Sequence, residues 1–281
     1  MLDLSAYLAR IGFTGSAHAD IATLRQIAQL HPRSIVFENL DAFTGRAVSL
    51  APEEVERKLV QRRRGGWCFE HNLLLGNALR ALGFAVTDLA ARVVWNRAAD
   101  ALTPRTHRLL LVELEGRNWL VDGGFGGQTL TGVLDADSDL PQPTPHEPFR
   151  LRRLMGQQVL ESRIRDEWLP LCRFDRQPQL PVDFEAANFQ LAHDPASHFT
   201  FALTVSRTAA DRRQVLRGHP DHGVELVVHQ LNGESQRREL RAPGEVLGIL
   251  EELFELPVHE LPGLGDRLGL LLERYARSRI A

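Results

Sequence analysis

Apolar residues recur at helical spacing from the start of the chain to Phe84. Leu4, Tyr7, Leu8 and Ile11 share one face, and Gly12 closes that run. Asp20 is placed to cap a second helix bearing Ile21, Leu24, Ile27 and Ala28, with Pro32 as its stop. Pro52 takes a favoured first helical position, and Glu53 and Glu54 suit the positive end of that helix. After Cys68, the run Leu73, Leu74, Leu75, Ala78, Leu79 and Leu82 is apolar nearly all round and ends at Gly83, which predicts a buried helix.

From Ala85 the texture changes to short β-type runs. Arg92–Trp95, Leu109–Val112 and Trp119–Val121 are separated by turn residues, and Phe199–Val205 and Val224–Val228 read as further strands. The proline-rich stretch Pro141–Pro145 reads as a surface loop. Helices around Val246–Phe254 and Leu268–Tyr275 close the chain, with no internal repeat. The predicted class is α+β in three units: residues 1–84, 85–195 and 196–281.

Composition narrows the function classes. At 281 residues, 43% hydrophobic and 25% charged, the chain is an ordinary globular protein with a sizeable core. Thirty-three basic against 36 acidic residues leave a net charge of −3, so there is no strong field for nucleic acid. Lys58 is the single lysine. No apolar stretch approaches the ~18–20 residues that span a bilayer, and the N-terminus lacks a basic-then-apolar export pattern. The expectation is a cytoplasmic protein without membrane or nucleic-acid partners. Two cysteines, Cys68 and Cys172, are too few for a disulfide framework and are expected to be thiols.

Cys68 follows Gly65 and Gly66 and opens a helix, where unpaired N–H groups and the helix dipole favour a thiolate. His107 begins a strand, and Asp122 ends the next one. Glu115-Gly116 suits a tight hairpin turn between them; Leu114 then pairs with Arg117 and Leu109 with Asp122. That register puts His107 and Asp122 on one sheet face as diagonal neighbours. Thiol, imidazole and carboxylate are the parts of a nucleophilic acyl-transfer site. Asp122 would orient His107, His107 would hold Cys68 as a thiolate, and the Cys68 N–H would contribute to an oxyanion hole. Gly123-Gly124-Phe125-Gly126-Gly127 lets a substrate approach the backbone beside an aromatic wall. His219 with His222, and His193 with His198, lack matching metal ligands, so no metal is expected. Cys172 reads as a packed core thiol.

These segments resemble the arylamine N-acetyltransferases. The pattern Arg-Gly-Gly-x-Cys-x-Glu-x-Asn is met by Arg64, Gly65, Gly66, Cys68, Glu70 and Asn72. Pro104-Arg105-Thr106-His107 and Val121–Gly126 match two further segments, and Ile35–Asp41 and Phe184–Phe189 two more. The chain departs from the pattern with Val36 in place of proline, Trp67 where tyrosine is frequent and His71 where glutamine is usual. The resemblance runs from Tyr7 to Phe201. It implies an N-terminal helical bundle, a central β-barrel and a C-terminal mixed α/β lid around a cysteine-protease-like core. It also implies a Cys68–His107–Asp122 triad that takes acetyl from acetyl-CoA and passes it, by a ping-pong cycle, to an arylamine or arylhydrazine. By position, Phe37, Phe125 and Gly126 would line the pocket, with Val93, Trp95 and Thr106 near the acetyl donor. Three alternatives use the same residues or fold: a papain- or transglutaminase-like amidase, an acyl-cysteine amide synthase, and a non-catalytic ligand binder.

Overall fold

The computed structural model describes residues 2–231 and 233–279. The helical start comprises α1 (Leu4–Ile11), α2 (Ile21–Ser34), the short α3 (Leu40–Phe43), α4 (Pro52–Glu56) and α5 (Cys68–Ala81). Capping follows the sequence signals. Asp3 and Asp20 accept from Ala6 and Thr23 N–H, and Gly12 adopts the left-handed conformation that ends α1. Pro32 does not stop α2, which runs on to Ser34. It lies in the last turn, where a proline removes one hydrogen bond and little remains to be broken.

Between α2 and α3 lies the two-residue β1 (Phe37–Glu38). The middle of the chain is β2 (Ala85–Val93), β3 (Arg105–Leu114), β4 (Arg117–Val121), β5 (Leu134–Asp135), β6 (Phe149–Leu154), β7 (Gln157–Ile164) and β8 (Glu167–Phe174). These seven form one antiparallel sheet in the order β5-β4-β3-β2-β8-β7-β6, coiled into a nearly closed barrel. The hairpin register agrees with the sequence reading: Leu114 faces Arg117 and Leu110 faces Val121, where the ladder ends one step short of Asp122.

Helices α6 (Glu185–His193) and α7 (His198–Phe201) lead to β9 (Leu203–Thr208), β10 (Arg212–His219), β11 (Gly223–Gln230) and β12 (Gln236–Leu240), followed by α8 (Pro243–Glu252) and α9 (Leu264–Ser278). Phe199–Val205 is therefore not one strand. Residues 198–201 form a helical turn because Ser197 and Asp194 supply carbonyl acceptors for Thr200, and the strand starts only at Leu203. β1 pairs with β9, so a piece of the helical start completes the five-stranded C-terminal sheet.

Among the described residues three large buried clusters result: one among α1, α2, α5 and the outer side of β3 and β4, one inside the barrel, and one between the C-terminal sheet and α8 and α9. A fourth, smaller cluster holds Phe37, Trp67, Cys68, Phe69, Ala90 and Phe184. Cys68 thus sits in a cluster that draws residues from the helical start, from β2 and from the segment after the barrel.

Candidate active site

Cys68 is the first residue of α5, and the chain reaches it along β1. Glu38 N–H donates to the Gly66 carbonyl at 2.8 Å, and Gly66 N–H donates to the Val36 carbonyl at 3.2 Å. Both glycines serve close approach. A Cβ on Gly65 would collide with the Val36 carbonyl oxygen, and one on Gly66 would lie 2.6 Å from the Glu70 carboxylate. Glu70 accepts from Trp67 N–H at 3.1 Å and so caps the helix that Cys68 opens. Around this elbow, Arg64 grips Glu38 at 2.7 Å and Asp41 at 3.2 Å, while Lys58 bridges Asp41 and Glu70 at 2.7 and 2.8 Å. Burial pulls the Lys58 and Arg64 pKa values down, but their carboxylate partners win and hold both cations well above their ordinary range.

His107 comes from β3 at a bulge. Ala91 faces His107 and Arg92 faces Arg105, which leaves Thr106 as the extra residue. The Thr106 carbonyl accepts from the Cys68 thiol at 3.5 Å. His107 Nε2 and Asp122 Oδ2 are 2.6 Å apart, and both residues are buried. Burial pushes the His107 pKa down. The charge and hydrogen bond of Asp122 outweigh it, Cys68 adds to them, and the value rises to about 10. Burial raises the Asp122 carboxyl in turn, yet His107, Asn72 and the Gly124 N–H hold it below the usual carboxylate range.

The second oxygen of Asp122 is satisfied by groups that pattern reading left unassigned. Asn72 Nδ2 and Gly124 N–H each donate to Oδ1 at 3.0 Å, and Asn72 Oδ1 accepts from Gly123 N–H at 3.0 Å. The signal for Asn72 was its place one helical turn beyond Cys68, on the same face of α5.

The aromatic surroundings come from all three parts of the chain. Phe125 sets its edge against His107, with ring centroids 5.2 Å apart. A Cβ on Gly126 would touch the Phe37 ring at 3.5 Å, so Phe37 and the glycine loop are in register. Phe199 joins Phe37 and Trp67 at 6.5 and 5.3 Å between centroids; the sequence reading placed it in a strand and missed it. Val93 lies at the end of β2 opposite Cys172, and Trp95 packs on the barrel core. The C-terminal sheet is fastened to the loop after Gly126 by buried Arg213, which pairs with Glu147 at 2.7 Å and donates to the Thr129 carbonyl at 3.0 Å.

Both ring nitrogens of His71 are engaged away from Cys68, 3.0 Å from His31 and 3.1 Å from the Val36 carbonyl. Cys172 is a core thiol whose pKa burial pushes up, aided by the charge of Asp122. Among the described residues no three His, Cys, Asp or Glu side chains converge as a metal-binding group, and His219 stacks on His198 and His222. No helix of the described chain is long and apolar enough to cross a membrane.

Comparison with known proteins gives a consistent result. A family model described as N-acetyltransferase matches residues 20–261. The arylamine N-acetyltransferase of Mycolicibacterium smegmatis is 41% identical over 266 residues, 93% of this chain and 94% of that protein. Its counterpart in Escherichia coli is 40% identical over 264 residues, covering 92% and 90%. The solved structure of the Mycobacterium marinum arylamine N-acetyltransferase in complex with CoA superposes with a TM-score of 0.90 at 35% identity, covering 96% of this chain and 99% of that one.

Proposed function

This chain belongs to the arylamine N-acetyltransferase family, and we propose that within this acetyl-CoA-dependent activity Cys68 carries the acetyl group from donor to amine in a ping-pong cycle. The observation that carries the reading is the buried 2.6 Å contact between His107 Nε2 and Asp122. With Nε2 held by the carboxylate, Nδ1 is the nitrogen left for the thiol.

In the first half-reaction, the proton of Cys68 rests on His107 and the sulfur attacks the thioester carbonyl of acetyl-CoA. The C–S bond to CoA breaks, and the departing thiolate takes the proton from the imidazolium. In the second, the nitrogen of an arylamine or arylhydrazine attacks the acetyl-Cys68 carbonyl and its proton passes to His107. The C–S bond to Cys68 breaks, and the acetylated amine leaves. Asp122 stabilises the imidazolium in both halves. The Cys68 N–H, at the first helical position, is available to the developing oxyanion.

Phe37, Phe125 and Gly126 line the pocket, with Val93, Trp95 and Thr106 near the acetyl donor. Residues 1–84 supply the nucleophile, 85–195 the base and its carboxylate, and 196–281 the lid pinned by Arg213. Replacement of Cys68→Ala should abolish transfer while circular dichroism stays native. Retained turnover in that folded variant would refute covalent catalysis through this residue.

A further inference from the structure

Below Cys68 and the Gly123-Gly124 turn runs a row of buried side chains to which the reaction above gives no task. Tyr7 Oη lies 3.0 Å from His31 Nδ1, His31 Nε2 lies 3.0 Å from His71 Nδ1, and His71 Nε2 lies 3.1 Å from the Val36 carbonyl oxygen. All three side chains are essentially inaccessible to solvent.

The proton order of the row follows from its far end. A carbonyl only accepts, so His71 carries its proton on Nε2 and accepts at Nδ1. His31 must then donate from Nε2 and accept at Nδ1, and Tyr7 must donate its hydroxyl proton. Every ring nitrogen is satisfied with both imidazoles neutral. Burial favours that state: it drives the His71 pKa down to about 4 and that of His31 well below its ordinary value.

The row touches both halves of the site. A Cβ on Gly124 would lie 2.7 Å from His71 Cβ and 3.1 Å from Cys68 Cα, and one on Gly123 would lie 2.8 Å from the His31 ring. The turn that donates to Asp122 therefore rests directly on these two imidazoles, with no room for a side chain between. Phe37 stacks on His71, with ring centroids 6.2 Å apart.

We propose that Tyr7, His31 and His71 form a one-way chain of neutral hydrogen bonds that positions the nucleophile, fixing the first turn of α5 against the Gly123-Gly124 turn and so Cys68 against His107. They are positioning residues and touch no reacting atom. The inference rests on Cys68 as the nucleophile. Its chemical core is that His71 acts as one donor and one acceptor in fixed directions. A glutamine side chain supplies the same pair, with its amide N–H toward Val36 and its oxygen toward His31.

Nitrogen-15 NMR of histidine-labelled wild-type protein tests the chain directly. At neutral pH both His31 and His71 should be protonated at Nε2 alone; an imidazolium or an Nδ1–H tautomer at either overturns the proposal. His71→Leu should lower kcat by about 10²-fold, the scale of a misplaced reacting group. It should also displace the pH profile of Cys68 alkylation by iodoacetamide while the KM for the amine holds. His71→Gln should recover most of both losses, and Tyr7→Phe should show a smaller loss of the same kind. A folded His71→Leu protein with wild-type kcat and alkylation profile overturns the proposal, as does a His71→Gln protein as impaired as the leucine variant. Should the leucine variant not fold, Tyr7→Phe and the ring-nitrogen spectra still decide. Tautomer and alkylation are read without acetyl-CoA. A wild-type protein that takes no acetyl on Cys68 therefore refutes the nucleophile assignment separately.

Discussion

Asp122 uses both of its oxygens, one on His107 and the other on Asn72 and the Gly124 N–H. In the proposed mechanism that division lets the carboxylate set the tautomer of His107. In Asp122→Asn the new amide can donate to His107 Nε2. The ring proton then moves to Nδ1, and the thiol loses its acceptor. Turnover should fall on the order of 10⁴-fold, as in the analogous serine triad, and near-normal kcat would show the carboxylate to be merely structural. Cys68, His107 and Asp122 were legible in the sequence because each residue type has a distinctive chemistry and each sits beside glycines or a strand end. The bond of Asn72 to Asp122 and that of His31 to His71 were not. Their partners lie 50 and 40 residues apart, and no local pattern announces a hydrogen bond closed only by the fold.

At the level of elements, local signals carried far and long-range pairing did not. The β3–β4 register could be read because a two-residue turn leaves one alignment of the flanking strands. The bulge at Thr106, which brings a carbonyl to the Cys68 thiol, could not be. It falls where β2 is also paired on its other side with β8, a partner far away in sequence. The pairing of β1 with β9 was likewise hidden, since two residues have no periodicity. Gly65 links these elements: its bare Cα lets the elbow before α5 lie against the chain entering β1. Gly65→Ala should destabilise the protein by about 3 kcal/mol, at the upper end for forced overpacking because a backbone carbonyl cannot step aside. Urea denaturation measures this, and a midpoint equal to wild type would contradict the packing described.

Over the whole molecule, the titratable groups buried at and below the site shape stability against pH. His31 and His71 have folded pKa values below that of the free side chain, 6.5, with His71 near 4. As pH falls from 6.5, the unfolded chain takes up protons that the folded chain refuses. Stability should drop at about 1.4 kcal/mol per pH unit for each such histidine. His107 works in the opposite sense. Its pKa is raised to about 10, so its contribution is complete below 6.5 and is lost as pH climbs through 10. The two trends place maximum stability near the ordinary histidine pKa. His71→Gln should flatten the acid limb and Asp122→Asn the alkaline one. Denaturation midpoints across the pH range check this, and stability that keeps rising below 6.5 would contradict the buried neutral imidazoles.

The chemistry of the Cys68 sulfur is the claim on which the account depends. Intact-mass measurement of the wild-type protein after exposure to acetyl-CoA, with an arylamine such as an anisidine added afterwards, addresses it most directly. The account predicts a gain of one acetyl group, mapped to Cys68 and removed by the amine. A protein that forms acetylated amine while never carrying acetyl on Cys68 would contradict it.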